Sequence, residues 1–448
     1  MTSKRVFEKL KKRFADNDVD SPLNFKYVNQ LQVIMSSIGS WPHKQFGRHR
    51  LHTILSLYNL LLQALCALMF ILGVLYWRQR MHTMSFFDSG HIFLCMIFDL
   101  LVLIRLLVAR TMKYQETIKD YLLEFHLFYF KNRSPYAAKV HTQIHTISGM
   151  FSFYVICQMA HGVLLFVLMP WYNNFKNGMF GKNRPENSTF ENSAYYYLPD
   201  ACYTTLKGYW ILFAFNSFTS YIVTIGLFEF DLLISLMVFQ IWGHLKILRH
   251  NLLNMPPPEN SKNGMYSVEE NIKIRALLKE IYEHHNLIIN VFPVRFPAQS
   301  SPLYPVFGIL RFVNRCSNAF SEYLFTFYLF MQFITCILLL EVSSFTADAL
   351  AKYGPLTIGM HQQLIQVSIL FEMLNTKSNQ LIDAIYAIPW EHMDTRNRKT
   401  VLFLIRRIQK PVSLKAGGMV PVGVNTMMAV LKGSVTYYMM LKAFAGER

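Results

Sequence analysis

LHTILSLYNLLLQALCALMFILGVLYW, residues 51–77, contains no Asp, Glu, Lys or Arg. As an α-helix rising about 1.5 Å per residue it reaches roughly 40 Å, enough to cross a hydrocarbon core of about 30 Å. Six more apolar stretches follow, near 89–110, 143–170, 206–240, 318–343, 356–386 and 420–444. The composition agrees: of 448 residues, 52% are hydrophobic, 15% aromatic and only 16% charged, against about 25% charged in an ordinary soluble domain. The expected fold is an all-α integral membrane protein with seven transmembrane helices.

Seven crossings put the two termini on opposite sides. Basic residues collect on the cytoplasmic side of membrane proteins, and with an inside N-terminus about 34 of the 44 Lys and Arg fall in cytoplasmic segments. The expectation is a cytoplasmic N-terminus and an extracellular C-terminus, the reverse of a G-protein-coupled receptor. The hydrophilic segment 171–205 then lies outside, where the sequon Asn187-Ser188-Thr189 would accept a glycan. The net charge of +17 reads as cytoplasmic charge facing anionic lipid, not as a nucleic-acid surface. The first twenty residues lack an apolar stretch followed by a cleavage site, so no removable signal peptide is expected. KRVFEKLKKRF, 4–14, reads either as an interfacial amphipathic helix or as a solvated tail.

No enzyme signature is present: no GxSxG, Walker loop, HExxH or nucleophile pair. The six cysteines are scattered and form no disulfide or metal pattern. No cofactor or metal is expected, and His284 and His285, with His244 and His250 upstream, read as cytoplasmic helix surface. Charges inside spans are few: Asp99, Arg105, Glu229, Asp231, Glu341 and Glu372. Asp99 and Glu372 are the deepest, each either an interhelical hydrogen-bonding partner or part of an ion path.

Two blocks carry a family resemblance. IGSWP (38–42) ahead of the first span resembles the entry motif of insect odorant receptors. The stretch 381–444 is similar to their most specific block: D-A-x-Y, a Trp, a basic helix ending R-R-x-Q-x-P, L-x-A-G, and a last helix with Thr before Tyr. The ending TYYMMLKAFAGER differs from the shared co-receptor's, so the chain resembles a tuning subunit. KEIYEHHNLIIN (279–290) and FVNRCSNAFSEYLF (312–325) match two halves of one family helix. The proline-rich 291–311 between them reads as an insertion looped beneath the membrane or as a retained intron.

The resemblance implies an odorant-gated, non-selective cation channel subunit of the plasma membrane of sensory-neuron dendrites. It would bind small volatile molecules and form a tetramer with co-receptor subunits; a gustatory receptor of the same superfamily is the neighbouring alternative. The domains would be a cytoplasmic region 1–50, spans one to four over 51–240, and anchor helices 241–317. Spans five and six would follow over 318–386, then an anchor linker 387–419 and a pore-lining seventh span with a short outer end, 420–448. In that arrangement a short end would leave the outer mouth of the pore uncrowded.

On the third span Phe151, Tyr154, Gln158 and His161 share one helix face, either as a packing stripe or as a pocket wall. Under the resemblance they become pocket candidates, joined by Ile97, Leu101, Phe213, Ser217, His361, Leu364, Ile365 and Ser368. The same alignment puts Tyr437 on the pore helix, the gate on Met440, the polar pore ring on Ala443, and a following aromatic at Phe444. Lys442 is expected to point away from the lumen.

Overall fold

The computed structural model describes residues 20–84, 86–181, 184, 188–259, 264–288, 312–343, 347–409 and 414–446. The basic stretch 4–14, the sequon residue Asn187 and the insertion 291–311 lie outside them. Helix α1 (Lys26–Ser37) precedes α2 (His49–Arg80), α3 (Phe86–Ala109), the short α4 (Met112–Asp120), α5 (Pro135–Lys176) and α6 (Leu206–Leu253). Then come α7 (Val268–Ile288), α8 (Phe312–Val342), α9 (Ala347–Tyr386), α10 (Thr395–Ile408) and α11 (Val424–Gly446). The seven expected spans correspond to α2, α3, α5, α6, α8, α9 and α11.

Local chemistry starts the long helices. Ser134 accepts from the Ala137 amide at 3.0 Å ahead of Pro135, and Thr205 caps α6 through the Gly208 amide. Helix α6 has 48 residues and α5 has 42, or roughly 70 and 60 Å, so both outrun a bilayer. Hydropathy falls near 240, yet α6 continues to Leu253 without a break because its last turns pack on α7. Helix α6 is the centre of the bundle, with 83% of its most apolar window buried against 22% for α5.

Among the described residues α2, α3, α5, α6 and α8 are long and apolar enough to cross a membrane by length and composition alone. Helices α9 and α11 are more polar because they use polar side chains on their neighbours. Glu372 of α9 accepts from the Val424 amide at the start of α11 at 3.4 Å. Ser434 of α11 lies 2.5 Å from Thr335 of α8, oxygen to oxygen.

The N-terminal segment folds back under the bundle. Tyr27, Val28, Leu31 and Met35 repeat at helical spacing and are buried against α5 and α6. The IGSWP motif makes the reversal. Gly39 has φ +69°, and a Cβ there would also collide with the Leu55 carbonyl. Ser40 then donates to Glu229 on α6 and to the Met35 carbonyl at 2.9 Å, while Trp41 stacks on Phe46.

Most charges within spans are paired. Arg105 is fully buried; it donates to the Gly226 carbonyl at 2.8 Å, to the Leu227 carbonyl, and to the Tyr323 hydroxyl at 2.8 Å. Tyr323 donates in turn to Asp231 at 2.7 Å, and Gln363 donates to the other Asp231 oxygen. Four helices, α3, α6, α8 and α9, meet on this network. The histidines correct the sequence reading: His284 and His285 are 4% and 2% exposed, not on the helix surface. His284 bonds His244 at 3.0 Å, and His244 bonds the Phe125 carbonyl.

Candidate ligand cavity

A cavity of about 170 Å³ lies between α2, α3, α5, α6 and α9, below the loop that joins α5 to α6. A space of this kind holds on the order of ten water molecules, or one compact organic molecule in their place. Helix α3 contributes His91, Leu94, Cys95, Phe98 and Asp99, and α6 contributes Thr219, Ser220, Val223, Thr224, Leu227 and Phe228. Helix α9 adds Tyr353, Leu356 and Met360. The walls are mainly aliphatic and aromatic with a few polar groups, the usual make-up of a small-molecule site.

Two features of the sequence open this space. Gly162 on α5 and Gly359 on α9 both line it, and a Cβ built on either meets no atom within 4 Å. Pro170 and Pro355, inside α5 and α9, line it as well. Proline lacks the N–H that would satisfy the carbonyl four residues back, and the Phe166 carbonyl receives the Ser193 hydroxyl at 2.9 Å instead.

That bond also begins the roof. His91 binds the Ser193 carbonyl at 2.9 Å, and Asn216 donates to the Ala194 carbonyl at 3.3 Å. Asn174 donates to the Glu191 carbonyl at 2.8 Å and accepts from the Glu191 amide at 2.9 Å. The Tyr203 hydroxyl accepts from the Tyr196 amide and donates to the Tyr196 carbonyl. The loop is thus tied to α3, α5 and α6, and to α2 through the Tyr197 amide on the Leu72 carbonyl at 3.0 Å, and it contributes Ser193, Ala194 and Tyr196 to the cavity wall.

Two of the sequence candidates, Gln158 and His161, line this cavity. The other ten lie beside or below it. Ile97 packs on the core and Leu101 is fully buried within it, each on the turn that presents Phe98 and Asp99 inward. Phe151 packs edge-on against Phe239, and Tyr154 is 40% exposed on the same flank. Phe213 joins an aromatic cluster with Tyr209 and Trp210, and Ser217 bonds its own helix at the Phe213 carbonyl. On α9, His361 bonds the Thr357 carbonyl, Leu364 is core, Ile365 faces outward and Ser368 bonds Tyr328. The resemblance put the candidates on four helices that also line this cavity, but on α9 the lining residues Tyr353, Leu356 and Met360 precede the candidates, which begin at His361. It missed α2, which supplies Met69, and the roof, whose residues have no periodicity to reveal them.

On α11, Tyr437 and Met440 are about half exposed, and Ala443 is exposed too. Helical spacing puts Ala443 opposite Ser434, the residue that faces α8, with Met440 beside it. Phe444 lies on the helix, and its side chain is outside the described residues. Lys442 stands over the Tyr438 ring at 5.7 Å, one turn back and away from the Met440 side.

This arrangement of helices defines a seven-helix, all-α membrane fold. It matches the solved insect olfactory receptor OR5 of Machilis hrabei with a TM-score of 0.71 at 13% identity, over 93% of this chain and 97% of that one. The structure of that receptor in complex with eugenol matches at 0.70 and 14% identity, over 94% and 98%. Odorant receptor 22a of Drosophila melanogaster is 20% identical over 45% of this chain and 44% of its own length. Odorant receptor 22b of the same fly is 21% identical over 30% and 34%. The chain thus aligns with less than half the length of these curated relatives. The model of the seven-transmembrane odorant receptor family matches residues 83–435. The chain belongs to that family, which is not a family of enzymes.

Proposed function

We propose that this protein is an odorant receptor whose roofed cavity binds a small volatile molecule, and that occupancy opens a non-selective cation pore. The observation that carries this reading is the cavity itself, a largely apolar chamber walled by five helices and covered on one side by a hydrogen-bonded loop. Burial of apolar surface would supply most of the affinity, with Gln158 and His161 among the orienting groups. A ligand opens a channel only when it binds the open state better than the closed one. Helix α9 offers a route: it forms one wall of the cavity through Met360 and caps α11 through Glu372.

In this reading the protein lies in the plasma membrane of the sensory dendrite with its N-terminus inside, Asn187 glycosylated outside, and a tetramer completed by co-receptor subunits. Met440, with Tyr437, Ala443 and Phe444, lines the pore, Met440 as its apolar gate. Epitope tags at each end, read in unpermeabilised cells, test the orientation. The cavity is tested by Gly162→Leu, which projects an isobutyl group into the space. The variant should reach the surface normally and lose odorant-evoked current in cells expressing the co-receptor. An unchanged dose-response would place the ligand elsewhere.

A further inference from the structure

Gln332 of α8 reaches the backbone of α11. Its side-chain amide donates to the Val430 carbonyl at 3.1 Å and accepts from the Ser434 N–H at 2.7 Å, in the amide orientation that satisfies both atoms. Val430 and Ser434 are four residues apart, so these are the two ends of one α-helical hydrogen bond. The Ser434 hydroxyl, 2.8 Å from the same carbonyl, offers it a further donor. One turn of α11 therefore has an outside partner for each of the backbone groups that close it. Gly433 makes room for this contact: a Cβ there would collide with the Gln332 amide.

A side chain set into the ladder of helical hydrogen bonds is one of the few causes of a sharp helix bend. Bending elsewhere in a span strips a carbonyl and an N–H of their partners in a medium without water, whereas here Gln332 keeps both satisfied. The serine bonded back along its own helix and the glycine in the same turn act in the same direction. The two ends of α11 are held differently. Its start is tied to α9 through Val424 and Glu372, and Ser434 is tied to Thr335 of α8. Beyond Ser434, Val435, Tyr437, Met439 and Met440 are each half exposed or more.

The cavity connects to the same place. On α9, Met360 of the cavity wall lies about two turns before Ser368, whose hydroxyl is 3.0 Å from that of Tyr328 on α8. Gln332 follows Tyr328 by one turn on the same face of α8.

We propose that Gln332 is a positioning residue for gating. It makes the Val430 to Ser434 turn a hinge, about which the outer end of α11 swings when a ligand shifts α9, carrying Met440 roughly 10 Å further along. This rests on the odorant-gated channel reading above and deepens it by naming the hinge and the contact that links cavity to gate.

The test is a double-mutant cycle in cells expressing the receptor and co-receptor, with currents normalised to surface expression. Gln332→Ala removes both outside partners, so the hinge should cost more to bend. The odorant concentration for half-maximal current should rise about fivefold or more, and odorant-free current should fall, with single-channel conductance unchanged. A residue that only helped to shape the cavity would leave odorant-free current as it was. Gly433→Ala, whose methyl group displaces the Gln332 amide, should show the same shift. Because both act through one contact, the double variant should be no worse than the stronger single one. An unchanged or lowered half-maximal concentration in Gln332→Ala, or two shifts that add in the double variant, overturns the hinge. Failure of the underlying reading shows separately: Gly162→Leu then leaves odorant responses intact, or Met440→Lys still conducts, whatever Gln332→Ala does.

Discussion

Arg105 on α3 donates a 2.8 Å hydrogen bond to the Tyr323 hydroxyl on α8, and the same hydroxyl donates to Asp231 at 2.7 Å. The tyrosine therefore carries the interaction between a buried cation and a buried anion on different helices. Removing one charge from such a pair leaves the other unpaired in a low-dielectric interior, at a cost of about 3–5 kcal/mol. Arg105→Met should sharply lower the melting temperature of the detergent-solubilised protein. Tyr323→Phe, which removes one hydroxyl, should cost only about 1–3 kcal/mol. Melting followed by size-exclusion chromatography orders the two, and an Arg105→Met protein as stable as wild type would show that the network contributes nothing.

The reciprocal pair between Asn174 and the Glu191 backbone pins the roof to the end of α5 at 2.8 and 2.9 Å. Asn174→Ala removes both bonds, worth about 1–3 kcal/mol together, and leaves the ligand walls untouched. The roof should open more often, so current should decay several-fold faster after odorant washout. A decay rate equal to wild type would mean that ligand leaves by another path.

The apolar runs made the helices legible in the sequence, because a hydrocarbon solvent admits few alternatives to a helix for an isolated span. The pairing of Arg105 with Asp231 was not legible, since the partners are more than a hundred positions apart and only packing brings them together. The same is true of Asp99. Its depth could be read from its span, but not that packing would place it on the wall of a cavity. The buried His284 was misread for a related reason: a double histidine in a polar helix looks solvent-facing until α6 and the Phe130 ring close over it.

That burial has a pH signature. Desolvation, helped by the nearby His244, Arg133 and His285, pushes the His284 imidazole well below its usual range, and burial with Arg407 nearby lowers His285 to about 4. The folded state therefore holds both neutral where the unfolded chain would take up protons. Stability is fully present above about pH 6.5 and is lost as pH falls from there toward about 4. Thermal melting at pH 7.5 and pH 5.5 should show a drop in wild type that is smaller in His285→Gln. Identical drops would assign the acid sensitivity to other groups.

Met440 and Lys442 are two residues apart, yet helical geometry sends them to different sides of α11. Lys442 stands over the Tyr438 ring, while Met440 is half exposed beside Ala443, on the side turned away from α8. If that exposed side lines the proposed pore, charge should matter at one position and not at the other. A lysine at the constriction repels a permeating cation and hydrates the apolar ring, so Met440→Lys should abolish odorant-evoked cation current at normal surface expression. Met440→Ala should instead raise resting current by widening the ring. Lys442→Gln removes a charge that already faces away and should change evoked current by less than about twofold. The reverse pattern, with Met440→Lys tolerated and Lys442→Gln altering conductance, would turn the pore-lining side of α11 to the Lys442 face and rule out Met440 as the gate.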